Sequence, residues 1–566
     1  MAKTYTEACP DTDILILDSA CSIGGVWAKE RLYPGLKTNN LLGSYEFSDF
    51  PMSPERFRTH RDQHIPGTAV HDYLTQFVDH FKLSSLLRLE TRLDSAEMKQ
   101  NGEWLLRTSS AAAGRNLGKI SSLVARKLVI ATGLTSEPFI PSYPGQTDFQ
   151  GNILHSIELR ARAKDIEVAQ EVVVLGGNKS AWDVCYSAAM AGAHVNMVMR
   201  PSGGGPGWVW PVWFTPLRLS IQLLATTRFF TWFDPCIWAD GGGFNWIRYF
   251  LHGTWFGKIL VSWFWNTLAS IVCSANGYNN HPETRKLKPW TSPYWMGNSL
   301  AVHNYESDWF DLTRTGKINV HIADVVSLSK EAVQLSNGSS LKADTVVCCT
   351  GWKVVPPIQF LPEGLTSELG FPGRSTENDI LMRKADHQIL RKLPALRSGP
   401  KRTLPVPSTQ IFTETAEKAR NRKKPYQLYR FMVPSEKAFL DHRNIAFIGA
   451  HLAVNAVTVA QAQALWITAF FQKKIHHLSP SNIDYENIRY ETILHSEYEK
   501  IRHPPEAGGS GERCPDLVFD GITYIDLLFK DLGLKIFRKE TLWKEVFHRY
   551  LPADYQGIVT EWLERS

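Results

Sequence analysis

The apolar run Glu171–Leu175 (EVVVL) passes directly into Gly176-Gly177-Asn178-Lys179-Ser180-Ala181, and from there into a helical stretch, WDVCYSAAMAGA. A short buried strand, a glycine turn and a helix in immediate succession leave few folds open. The helix must cover its own strand, and a parallel strand must return beside it. His194–Met199 (HVNMVM) supplies that strand. Such a βαβ unit aims first-turn N–H groups and a helix dipole at a pyrophosphate. Gly176, Asn178, Lys179 and Ser180 are therefore candidate dinucleotide contacts. The turn reads G-x-N-x-x-A and departs from G-x-G-x-x-G at its second and third positions, so the returning strand carries much of the weight. That strand ends at Arg200, before Pro201. An acidic residue there would take the ribose hydroxyls of NAD, whereas arginine favours the 2′-phosphate of NADP. The bland alternative for Arg200 is a solvated strand-end charge.

A second unit is suggested near the N-terminus. Asp13–Leu17 (DILIL) reads as a buried strand ending at Asp18, the place of a ribose-binding carboxylate. The glycine-rich turn of such a unit belongs about 20 residues earlier, yet Met1 lies only 17 residues before Asp18. Lys3–Ala8 reads as the end of the helix that would follow that turn. The chain is thus expected to begin inside its own first unit; an ordinary N-terminal helix and strand is the other reading. Further apolar strands end in Thr-Gly or Gly: Leu128–Gly133 (LVIATG, with Thr132), Asp344–Gly351 (DTVVCCTG, with Thr350), and Asn444–Gly449 (NIAFIG). Glycine at a strand end lets backbone approach a ligand closely.

Composition narrows the function classes. The net charge is +6 over 566 residues, and no Lys/Arg block suggests nucleic acid. Eight cysteines are scattered without C-x-x-C, which fits a reducing compartment and excludes a zinc ribbon or thioredoxin-like pair. Cys348 and Cys349 occupy apolar strand positions and read as inert. The first ten residues have no apolar signal region, so secretion is not expected. No metal site and no Ser/His/Asp constellation is evident. Twelve of the 19 tryptophans lie between Trp208 and Trp309. Within that window Thr254–Ser274 carries one charge, Lys258. Three readings of it stay open: a buried helix walling an apolar pocket, an interfacial helix on a membrane, or a span. The first two imply a lipophilic substrate, because tryptophan suits apolar pockets and membrane interfaces alike.

The cluster Gly24-Gly25-Val26-Trp27, Tyr33-Pro34-Gly35-Leu36, Thr38-Asn39-Asn40 and Ser48-Asp49-Phe50-Pro51-Met52 resembles the flavin-contacting stretch of the flavin-containing monooxygenases. Phe149-x-Gly151-x-x-x-His155 resembles that family's fingerprint, with Leu159 at its aromatic last position. The resemblance spans roughly residues 1 to 500. It implies an α/β fold of two Rossmann-like domains, the NADPH domain inserted into the FAD domain, with a Trp-rich, mostly helical insert. The divisions expected are 1–165 and 325–500 for FAD, 166–324 for NADPH with the insert at 201–300, and a helical tail at 501–566 that reads as carrying no chemistry. The resemblance assigns FAD to Asp18, Gly24, Gly25, Trp27, Thr38, Asn39, Thr132, Gly133, Thr350, Gly351 and Gly449. It implies a structural role for His155, an oxygen-side hydrogen bond for Asn39, and orientation of the nicotinamide or of a neighbouring charge by Asp49. Turn or cap residues are the plain readings of Asn39 and Asp49.

The activity implied is NADPH-driven transfer of one oxygen atom from O2 to a lipophilic small molecule through a flavin C4a-(hydro)peroxide, in the manner of fungal enzymes that tailor specialised metabolites such as polyketides. Carbon and heteroatom acceptors, Baeyer–Villiger insertion among them, stay open. So does an inactive NADP-binding remnant lacking the FAD pyrophosphate loop. A cytoplasmic location, with or without membrane attachment through 207–275, is expected; nothing bears on oligomeric state.

Overall fold

In the computed structural model, residues 1–60, 62–111, 120–214, 219–295, 301–374, 380–404 and 423–565 are described. Five parallel strands form the larger sheet, in the order Asn152–His155, Thr345–Cys348, Glu171–Leu175, His194–Met199, Ile318–Ile322. Thr345–Cys348 is buried throughout, and so is Glu171–Leu175 beyond its first residue, as suits aliphatic strands covered on both faces. The helix Lys179–Ala191 closes one face, burying Ala181, Trp182, Val184, Cys185 and Ala188 at helical spacing against Val172, Val174 and Val195. The other face, with Val173, Val198 and Val346, meets an antiparallel three-stranded sheet of Val325–Ser329, Ala332–Leu335 and Ser340–Lys342.

This corrects the expected boundaries. The second domain runs from Asn152 to Cys348, wider than 166–324, because the sheet recruits a strand from each side of the βαβ unit. Thr345–Cys348, expected to lead back into the first domain, is a central strand of the second.

The first domain supplies parallel pairs, Ile16–Leu17 with Leu87–Arg88 and Leu128–Ile130 with Ile445–Phe447. No strand among the described residues hydrogen-bonds one pair to the other. A separate four-stranded sheet, Gln359–Leu361, Thr91–Met98, Trp104–Ser110 and Ser121–Ala125, packs beside them through Trp104, Leu106, Phe360 and Phe447. First-domain strands lie on both sides of Asn152–Cys348 in sequence, so the second domain is inserted into the first, as expected.

The C-terminal tail is not peripheral. Ile522, Tyr524, Ile525, Leu528 and Phe529 of the helix Gly521–Asp531 share one core with Leu465, Trp466 and Phe470 of the helix Ala456–Phe471. The stretch 503–511 is largely buried. The apolar run in the insert forms the helix Trp255–Ala275, long and apolar enough to cross a membrane by length and composition. Gly257, Val261, Trp265, Leu268 and Val272 face Phe230 and Phe519, whereas Trp255 and Trp263 are 76% and 65% exposed. The helix is docked on one side only and is not the fully buried wall considered above.

Candidate active site

In the second domain the glycine turn is set by backbone contact. A Cβ on Gly176, at φ +142°, would lie 2.5 Å from the Cys349 carbonyl oxygen; one on Gly177 would lie 2.6 Å from that of Gly205. The helix behind the turn has Asn178 at its N-cap with no side-chain cap, and Asn178 and Ser180 are exposed. Its first-turn N–H groups thus face outward, as an anion site needs. Lys179 turns away from that position. It pairs with Asp183, donates to Asn304 Oδ1 at 2.9 Å, and lies 4.5 Å from the centre of the Tyr305 ring. Asp183 also accepts from Tyr33 at 3.1 Å and Tyr305 at 2.9 Å. Burial, and then Asp183, push both phenols well above their ordinary values. Arg200 is exposed at its strand end. Arg402, remote in sequence, donates to the carbonyls of Pro201 and Gly203 at 2.8 and 2.6 Å and brings a second guanidinium to the same turn.

In the first domain Asp18 follows its strand and accepts from its own loop at Ala20 N–H, 2.9 Å. Gly24 and Gly25 both have positive φ, and a Cβ on Gly24 would meet the Trp27 backbone at 3.0 Å. The Trp27 indole donates to the Tyr45 hydroxyl at 2.9 Å. Gly133 and Gly449 follow adjacent parallel strands, so they leave the sheet at the same end. The Thr132 carbonyl accepts from the Ser136 hydroxyl. Gly449 N–H donates to the buried Gln463 side chain at 3.1 Å. Thr350 donates to the Phe139 carbonyl, and the Gly351 carbonyl accepts from Phe139 N–H at 3.0 Å. These bonds, with Trp352–Lys353 paired to Glu137–Pro138, join the two segments that connect the domains. His155, fully buried, lies 3.1 Å from the Gly351 carbonyl through Nε2 and accepts from Ile157 N–H through Nδ1. Burial lowers its pKa. These contacts hold a turn in place and give the ring a structural setting.

The strand Lys37–Leu41 runs between the domains. Thr38 Oγ1 donates to the Asn40 carbonyl and accepts from Ile65 N–H, and the Thr38 carbonyl accepts from Asn304 at 3.4 Å. Asn40 donates to the Val454 carbonyl at 3.0 Å, which ties the strand to the start of the helix Ala456–Phe471. The Asn39 carbonyl accepts from Gln222, a buried residue of the insert. Asp49 lies elsewhere. It pairs with Lys3 of the helix Ala2–Ala8 at 2.6 Å and accepts from Gly557 N–H at 3.3 Å. Burial raises its carboxyl, but Lys3 outweighs it and the net shift is downward. Asp49 thus meets a neighbouring charge, Lys3, and joins the two ends of the chain. Sequence reasoning missed Tyr33, Asp183, Gln222, Asn304, Arg402 and Gln463 as site-building residues, since each meets its partner from a distant segment.

A family profile described as pyridine nucleotide-disulphide oxidoreductase matches residues 44–207. An FAD-dependent monooxygenase of Aspergillus nomiae is 33% identical, covering 99% of this chain and 95% of the relative. An FAD-dependent monooxygenase of Alternaria brassicicola is 30% identical over 99% of this chain and 92% of the relative. A cyclohexanone monooxygenase from Rhodococcus sp. Phi1, solved bound to NADP+, shares the fold at a TM-score of 0.58, with 15% identity and 94% of each chain covered. A two-domain dinucleotide-binding architecture and full-length similarity at this level agree: the chain belongs to the FAD-dependent monooxygenases, a family of oxidoreductases.

Proposed function

We propose that this chain binds FAD and NADPH and transfers one oxygen atom from O2 to a lipophilic small molecule. The observation that carries this reading is the open space at the strand ends. Gly133, Gly351 and Gly449, and Gly25 in the turn that follows Asp18, have positive φ, and a Cβ on each would meet nothing within 4 Å. No packing contact demands glycine there, so these positions fit backbone facing a bound group. FAD, when bound, supplies the reduced flavin that activates oxygen, and NADPH supplies the hydride. The chain's part is to bind, orient and exclude water. Asp18 would take the ribose, and Thr38–Asn40 would line the reactive side. The insert reaches this strand through Gln222, which supports reading the tryptophan-rich region as the substrate side. Arg200 at the strand end favours NADPH over NADH.

The test is anaerobic mixing of flavin-loaded protein with NADPH or NADH, following loss of the oxidised-flavin absorbance. NADPH should be preferred, and Arg200→Ala should cut that preference about tenfold or more. A protein that holds no flavin, or reduces it equally with both nucleotides, would sink the reading.

The membrane surface is the second element of the proposal. Trp246, Tyr249, Trp255, Phe256, Ile259 and Trp263 make an exposed aromatic patch on the helices Asn245–Gly253 and Trp255–Ala275. Further along, the outer face turns polar at Ser262, Asn266, Thr267 and Ser270, all exposed. A span would need apolar residues on every lipid-facing side, whereas an interfacial helix needs them on one. The patch is read as lying on an intracellular membrane from which a lipophilic substrate is drawn. Flotation with phosphatidylcholine–phosphatidylserine vesicles should carry the wild type upward and leave a Trp255→Ser/Trp263→Ser double variant behind. Equal behaviour of the two proteins would overturn the assignment.

A further inference from the structure

The helix Tyr485–Arg502 is exposed at its start but buries charged residues at its end. There Glu499 and, one turn on, His503 face Asp520, which precedes the helix Gly521–Asp531. All three are 1% exposed, and their donor atoms lie within 4.8 Å of one another. One oxygen of Glu499 accepts from Asp516 N–H at 2.8 Å. Its other oxygen, Oδ1 of Asp520 and both ring nitrogens of His503 have no hydrogen-bond partner. Such groups are costly to bury unsatisfied. The nearby cation does not hydrogen-bond the cluster: Arg502 donates to Asp234 through Nη2 at 2.5 Å, and its Nε and Nη1 have no hydrogen-bond partner.

The surrounding loop seals the cluster. A Cβ on Gly509 would fall 2.3 Å from the His503 carbonyl oxygen, and one on Gly511 would fall 1.9 Å from that of Glu499. Glycine at these positions lets the loop lie flat on the last helical turn and keep water out.

We propose that Glu499, His503 and Asp520 hold a divalent first-row transition-metal ion, Zn2+ or Mn2+ by donor type. Two carboxylates and a neutral imidazole suit these ions, and the ion's two charges cancel those of the carboxylates. An unpartnered imidazole offers a lone pair, which separates this cluster from an ordinary acidic patch. The site is structural. Asp516–Leu517 pairs with Leu452 through Leu517 N–H, 2.7 Å from the Leu452 carbonyl, and Leu452 N–H reaches the Pro515 carbonyl at 3.0 Å. The ion would therefore pin the C-terminal segment against the loop that follows Gly449. The assignment does not depend on the proposed oxygenase chemistry.

The test uses untagged full-length protein, cofactors as purified, dialysed into metal-free buffer and analysed by elemental mass spectrometry. About one ion per chain is expected. A strong chelator should lower the melting temperature, and ZnCl2 or MnCl2 should restore it. Glu499→Gln keeps the shape and the bond to Asp516 N–H, so it should fold yet hold at least about tenfold less metal. The proposal is overturned by a wild type that carries no stoichiometric metal and melts identically with chelator and with added ions. It is equally overturned if Glu499→Gln and His503→Ala bind metal as the wild type does.

Discussion

A methyl group added at Gly176 would drive into the Cys349 carbonyl 2.5 Å away, at a backbone angle of φ +142°. One added at Gly449, φ +70°, would enter empty space. Gly176→Ala therefore carries both overpacking and strain, a loss of about 2 to 5 kcal/mol, read as a large fall in the unfolding midpoint. Gly449→Ala carries left-handed strain alone, about 1 kcal/mol. Its clearer effect should be on retained flavin, measured as the flavin-to-protein absorbance ratio. A Gly449→Ala protein with full flavin content would show that the space is not the cofactor's. The same contrast marks what local pattern reveals. Gly176, Arg200 and His155 stand out because motif spacing is local. Asp183 meets Tyr33 across 150 positions, and Gln222 meets Asn39 across 183. No periodicity within one segment encodes a partner that distant. The partners of Asp49 were illegible for this reason: its motif is local, but Lys3 and Gly557 come from the two ends of the chain.

At the scale of elements, the βαβ unit was legible because strand, turn and helix follow one another without interruption, whereas the inserted-domain order was implied by the family resemblance alone. Burial was less legible. The apolar run in Trp255–Ala275 announces a helix, but its docked stripe depends on Phe519 from the far C-terminal segment. The helix Ala456–Phe471 fixes neighbouring backbone through its glutamines. Gln463 is fully buried, accepts from Gly449 N–H and donates to the Tyr524 hydroxyl at 3.0 Å. Two residues nearer its start, Gln461 accepts from Ser48 N–H at 3.0 Å and donates to Ser48 Oγ at 2.7 Å. Gln463→Leu would leave the Gly449 N–H without this partner in a tight turn, at about 1 to 3 kcal/mol. Urea unfolding should show that loss, with unchanged m-value, alongside weaker flavin retention. A neutral result would mean that the turn holds its shape without the helix.

At the scale of the whole molecule, buried histidines are spread through every region. Burial is the leading cause that holds His252 at about 3, His303 at about 4, His451 at about 4 and His495 at about 3. Each native pKa lies below the unfolded value of 6.5. As pH falls through 6.5 the unfolded chain gains protons that the native state refuses, so stability drops until the native values are reached. Buried carboxyls pull the other way. Asp526 is raised by burial, so its native form holds its proton longer and gains stability on acidification. The total pH profile mixes both signs, and a single histidine must be isolated. His495 suits this, because its ring packs against Trp238 at 5.3 Å and Phe431 at 6.2 Å, surroundings that accept phenylalanine. His495→Phe removes one titration and keeps the shape. The variant's stability relative to wild type should be flat above about pH 7.5 and then rise as pH falls from 6.5 towards 4, by at most about 1.4 kcal/mol per pH unit. Urea midpoints for both proteins at pH 8, 7, 6 and 5 measure that difference, and a gap that stays constant or narrows on acidification would mean that the imidazole is already charged in the folded protein.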